Sequence, residues 1–222
     1  MNEGKHMSEA LPLGLLLALT GGILDAYTYL NRGAVFATAE TGNLVLLGVN
    51  LAMGHWLKVI YYLLPISSYA AGLLVTLAFH RRSDKLFFHW RQFVVLTECL
   101  VVLLATIIPQ GELDPLVNCM IAFISAMQVQ TFRKFRGCAC ATTMCTGNLR
   151  SAAEALFRFF ATKDPEVRWE CLRFYGVIGA FVCGVILGEK GVEFTGRWAV
   201  LLCMIPLAAA LGILFRREKE TE

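Results

Sequence analysis

Long apolar runs separated by short polar patches dominate this 222-residue chain. Residues 11–30, 61–79, 93–109 and 198–215 each approach the roughly 20 residues that a helix needs to cross a bilayer. The run at 93–109 is followed by the acidic loop 110–115 and by an apolar stretch to residue 131, so those two read as consecutive spans. Two further segments, 34–53 and 138–160, interrupt the pattern, and each is read as a span or as a re-entrant hairpin. The second is amphipathic, because Arg150, Glu154 and Arg158 fall on one helical face, where lipid exposure would be costly. The first run carries Asp25 and has no small-residue cleavage site after it, so it reads as a retained span.

Composition sharpens this reading. Hydrophobic residues make up 57% and charged residues 17%, against about 45–50% and 25% in soluble domains. That excludes a disordered chain and argues against a soluble globular enzyme. Most of the eight cysteines lie inside apolar runs, where a thiol behaves as a small hydrophobe, so reduced thiols are expected.

Charge placement sets the topology. Six spans with both termini inside and both irregular segments re-entrant would leave only Arg32, Lys58, Lys190 and Arg197 outside, of 20 Lys and Arg. Eight spans would divide the bases almost evenly. The positive-inside rule therefore favours six. Residue 34–53 is apolar enough to span, and that alternative stays open.

The chain also repeats itself. Thr38-Ala39-Glu40-Thr41-Gly42-Asn43-Leu44 and Thr143-Met144-Cys145-Thr146-Gly147-Asn148-Leu149 share T-x-x-T-G-N-L. Upstream, Asp25 aligns with Gln130. Downstream, Gly72 aligns with Gly184, which fits an insertion around residues 162–168. Such self-similarity marks a duplication. With three spans per half, the second half enters the membrane inverted, an arrangement found in transporters. The expected fold is thus all-α and polytopic, with about six transmembrane helices, two re-entrant or broken helices and a 3+3 inverted-topology repeat. Its parts are an N-terminal tail (1–10), repeat 1 (11–109), repeat 2 (115–215) and a C-terminal tail (216–222), with both tails cytoplasmic.

Glycine permits turns and close approach, and Thr and Asn cap helix starts, so each motif reads as irregular backbone becoming a helix within the membrane. Two helix N-termini arriving from opposite faces would create a polar, anion-suited centre near the midplane. The competing reading is that Thr and Asn only hold the halves together. Candidate substrate-binding residues are Asp25, Thr41, Gly42, Asn43, Gln130, Thr146, Gly147 and Asn148, with Glu40, Gln128 and Glu98 as weaker candidates. An acid inside a span, such as Asp25, points to proton coupling, cation coordination or capping of the hairpin, unless it sits hydrated at the interface.

Cys138, Cys140 and Cys145 match no zinc spacing and have no histidine nearby, so they read as small packing residues. No nucleotide-binding, hydrolase or metalloprotease motif occurs. No metal, cofactor or catalytic residue is expected, and nucleic-acid binding is not implied.

Gly22-x-x-Asp25-Ala26, Phe36, Thr41-Gly42-Asn43 and the second Thr146-Gly147-Asn148 resemble the YoaK-like family of bacterial inner-membrane proteins, a domain of unknown function. The resemblance covers about residues 11–215 and implies a multi-pass bacterial membrane protein of about six helices, without a substrate or activity. Glu40 departs from the family pattern, which has an apolar residue there. The expected function is a small-solute transporter or channel in the bacterial inner membrane. Lipid and an unidentified small solute are the expected partners, and homo-oligomerisation stays open. The alternative is a non-transporting scaffold or sensor. An intramembrane enzyme is disfavoured, because no nucleophile–base pair is visible.

Overall fold

The protein is represented by a computed structural model that describes residues 10–80, 90–135, 138–139 and 142–219. The basic positions Arg81, Arg82, Lys85 and Arg136, and Cys140, lie outside the described residues. Eight α-helices carry the described fold: α1 (Ala10–Asn31), α2 (Glu40–Ala52), α3 (Trp56–His80), α4 (Trp90–Ile107), α5 (Asp114–Thr131), α6 (Cys145–Thr162), α7 (Pro165–Thr195) and α8 (Met204–Lys219). A 3₁₀ stretch, Gly196–Cys203, precedes α8, and a two-residue antiparallel ladder pairs Lys134–Phe135 with Cys138–Ala139. Leu11–Asn31, Trp56–Phe79, Trp90–Ile107 and the continuous stretch Pro165–Arg216 are long and apolar enough to cross a membrane. The last bends back on itself. Gly196 takes φ +59°, and beyond it Leu202 and Ala199 pack on Gly191 of α7.

Contacts fix which ends of the helices lie together. Tyr61 Oη and Asn118 Nδ2 each donate to Arg32 O at 2.8 Å, and Asn31 Nδ2 donates to Gly196 O at 2.9 Å. The end of α1, the starts of α3 and α5, and the turn after α7 therefore share one end of the bundle. At the other end, Trp90 Nε1 donates to Thr131 Oγ1 at 2.9 Å and the Trp90 ring stacks on Phe79.

The long helices pack across the two halves of the chain. α1 lies chiefly on α7, and α3 on α5. Both seams are made by glycine. A Cβ on Gly184 would overlap Leu19 O of α1, and one on Gly22 would overlap Phe181 O of α7. A Cβ on Gly72 of α3 would overlap Phe123 O of α5. Small residues let helix backbones touch where no hydrophobic force operates between helices. Cys99, Cys119, Cys145, Cys171, Cys183 and Cys203 are free thiols.

Candidate functional site

The first motif is anchored beneath the end of α1. The chain leaves that helix through Gly33 (φ +82°) and Ala34 (φ +59°), a left-handed pair that reverses its direction. The returning loop is bonded back onto α1. Ala37 N donates to Thr28 Oγ1 at 3.4 Å, and Thr38 N donates to Asp25 Oδ1 at 2.8 Å. Tyr29 and Phe36 stack 4.7 Å apart. Asp25 is therefore buried, and its carboxylate accepts from a loop amide that helix and sheet leave without a partner. α2 then starts at Glu40.

Asn43 ties the two strands of this loop together. Its Oδ1 accepts from Phe36 N at 3.0 Å, and its Nδ2 donates to Phe36 O and Glu40 Oε2 at 2.8 Å each. This differs from the expected cap. The residues before α2 and α6 are Ala39 and Met144, neither with a side-chain cap bond. Asn43 and Asn148 lie inside the first turn of their helices and are buried. Nor do the motif glycines make the turn. Gly42 is needed because a Cβ would press on the Phe36 ring at 2.6 Å, whereas Gly147 has open space around it.

The second motif approaches the same part of α1. Thr143 Cγ2 lies 2.6 Å from where a Cβ on Gly21 would stand. Thr38 at Asp25 and Thr143 at Gly21 are thus one helical turn apart along α1. Cys145, Glu40 and Tyr69 all lie within electrostatic range of Asp25 or of one another. Thr38 and Thr143 are 2% and 4% exposed; the Thr38 side chain lies at the Asp25 carboxyl, and the Thr143 hydroxyl has no partner among the described residues. Thr41 and Thr146, the expected members, instead point to the outside of the fold. The first threonine of each T-x-x-T is the inward one, although the repeat singles out both threonines alike.

Next to this junction lies a second buried polar cluster. Gln128, and not Gln130, meets the second hairpin. One amide atom of Gln128 stands 2.8 Å from Thr142 Oγ1, and the other stands 2.7 and 2.9 Å from the two carboxylate oxygens of Glu98. Glu98, Gln128 and Thr142 are all fully buried. Gln130, the sequence partner of Asp25, is half-buried at the end of α5.

Sequence reasoning overlooked Arg32. Its guanidinium is fully buried and makes five hydrogen bonds. They run to Tyr27 Oη (2.9 Å), Pro109 O (3.0 Å), Asp114 Oδ1 (2.9 Å), Ala105 O (2.9 Å) and Ile108 O (2.8 Å). It serves as the C-cap of α4, supplying donors to carbonyls that a helix end leaves open.

A family model described as "Protein of unknown function (DUF1275)" matches residues 13–213. The chain belongs to the DUF1275 family. A relative within reach of sequence comparison is the UPF0700 transmembrane protein YoaK of Bacillus subtilis (strain 168). It is 25% identical over 206 residues, covering 90% of this chain and 90% of that protein. No solved structure matches the chain. As a DUF1275 member with apolar helices of spanning length, the protein is a membrane protein, and the resemblance drawn from the paired Thr-Gly-Asn motifs holds.

Proposed function

We propose that this DUF1275 protein is a non-enzymatic transporter or channel for a small polar solute, with its site where the two motif loops meet beside residues 21–25 of α1. One observation carries the reading. Thr38 and Thr143, equivalent in the repeat, are buried against one turn of α1, Thr38 with its side chain at the Asp25 carboxyl and Thr143 with a hydroxyl that has no partner among the described residues. Their loops come from opposite ends of the bundle. The first leaves α1 at the Arg32 end and its helix returns toward Tyr61 at that same end. The second leaves α5 at the Trp90 end. Such a pair of hairpins fits six spans and an inverted repeat, in which broken helices line a midplane site. Arg32, buried, and Lys58 and Arg197 would then lie at the exterior end and Arg91 and Arg133 at the cytoplasmic end of a bacterial inner membrane, as the charge rule requires.

The charges at the junction select among solutes. Helix N-termini favour anions, but Glu40 already occupies the first turn of α2 and Asp25 stands close by. Neither acid is ion-paired to a Lys or Arg among the described residues. A neutral or cationic polar solute therefore suits the junction better than the anion expected from the helix ends alone. The test is flux in proteoliposomes against a panel of neutral, cationic and anionic small solutes. Asp25→Asn and Asn43→Ala are expected to insert normally and lose uptake. Wild-type uptake by both variants would leave the scaffold or sensor reading, which the near-complete closure of the two threonines also suits.

A further inference from the structure

Glu98 stands in the middle of α4, completely buried, and its two oxygens face one atom of the Gln128 amide. We propose that Glu98 is a proton-binding site and that Gln128 passes its protonation state to the second hairpin by turning its amide over. The inference rests on no transported solute and goes beyond the junction described above.

The heavy-atom positions admit both amide orientations. When Glu98 is a carboxylate, the atom facing it is Nε2, which donates to Oε1 and Oε2 at 2.7 and 2.9 Å, and Gln128 Oε1 accepts from the Thr142 hydroxyl at 2.8 Å. When Glu98 carries a proton, the atom facing it is Gln128 Oε1, which accepts from the carboxyl O–H. Nε2 then donates to Thr142 Oγ1 at 2.8 Å and to Leu17 O at 3.4 Å. One O–H bond forms or breaks, one amide turns by half a revolution about a soft terminal torsion, and every polar atom of the trio keeps a partner in both states. Thr142 changes from donor to acceptor. Its hydrogen is thereby released from Gln128, in the loop that one residue later packs Thr143 on Gly21.

The surroundings make the proton matter. A buried carboxylate whose partner is one neutral amide costs much more than the neutral acid. The titratable groups facing Glu98 are the thiols of Cys99, on its own helix, and Cys203, from the 3₁₀ stretch. α5 contributes the Gln128 amide, and no Lys, Arg or His pairs with Glu98 among the described residues. The two amide orientations are a bistable element that adding or removing a single proton would reverse.

The test is infrared difference spectroscopy of the full chain in phosphatidylcholine vesicles as the pH is lowered. Wild type should gain a protonated-carboxyl carbonyl band that Glu98→Gln loses and Glu98→Asp moves. Gln128→Leu should shift the band by removing the acceptor of the carboxyl proton. Thr142→Val should shift it too, although Thr142 does not touch Glu98, and a purely local role for Gln128 would not produce that shift. A set of wild-type bands that Glu98→Gln leaves complete, or no pH-dependent band in wild type, overturns the proton site. A band unmoved by Thr142→Val overturns the relay. Absence of solute flux would sink the transport reading and leave these outcomes unaffected.

Discussion

Replacing Arg32 with Met removes the charge and donors while retaining an unbranched stem of similar reach. The structure gives the size of the effect. Five hydrogen bonds are lost, the Asp114 carboxylate (13% exposed) loses its cation, and the carbonyls of Ala105, Ile108 and Pro109 lose the group that ends α4. Removing one partner of a buried ion pair costs about 3–5 kcal/mol, because the other charge stays buried. Asp114→Asn keeps an acceptor for Nη1, and the three carbonyls still hold the guanidinium, so about 1–2 kcal/mol is expected. In the Arg32→Met background the same Asp114→Asn change should cost less or even stabilise, because the orphaned charge disappears. The assay is equilibrium unfolding in mixed micelles, with the four proteins forming a double-mutant cycle. A loss below about 1 kcal/mol for Arg32→Met, the scale of an exposed pair, would refute the assignment of Arg32 as the structural cap of this end of the bundle.

Gly22→Val and Gly184→Val drive a side chain into the backbone of the facing helix and should cost about 1–3 kcal/mol or block folding. Gly147→Ala, with open space around it and a helical conformation, should instead gain about 0.5–1 kcal/mol in the same unfolding assay. In a background without native cysteines, single cysteines at His55 and Thr162 should react with impermeant maleimide from opposite sides of the membrane. Labelling of both from one side rules out the paired hairpins.

What the sequence revealed, and what it hid, follows from the range of the interactions. Gly72 and Gly184 were legible as packing notches, because a repeat places them at matching positions and glycine has few other uses within a span. Asp25 was legible as an unusual residue, yet its role depends on the amide of Thr38, which the two left-handed residues Gly33 and Ala34 bring back to it. Alanine in that conformation carries no sequence signal. The inward threonine pair differs from the expected one for a geometric reason. The motif identifies Thr38 and Thr41 equally, and only the start of α2 at Glu40 decides that one faces α1 and the other faces out. Asn favours helix starts, which predicts a cap, but Asn43 lies three residues inside α2 and binds the preceding loop instead. Arg32 escaped notice because Asp114, its partner, lies 82 residues away, and charge counting treated both as solvated loop residues.

The swapped seams, α1 on α7 and α3 on α5, have a consequence for how the chain is made. α1 emerges first, carrying Asp25 in an otherwise apolar segment, and the glycine-lined partner that covers it ends only at Thr195. At about 5–20 residues per second of synthesis, α1 waits roughly ten to thirty seconds for α7. Throughout that interval an acid worth about 2.5–3.5 kcal/mol against insertion at a helix centre sits on a helix whose partner is missing, with only the loop amide of Thr38, 13 residues behind it, to offset the cost. The nascent chain is thus most vulnerable before its second half is translated. Truncations that end before α7 should be extracted and degraded, not left as a stable half-protein.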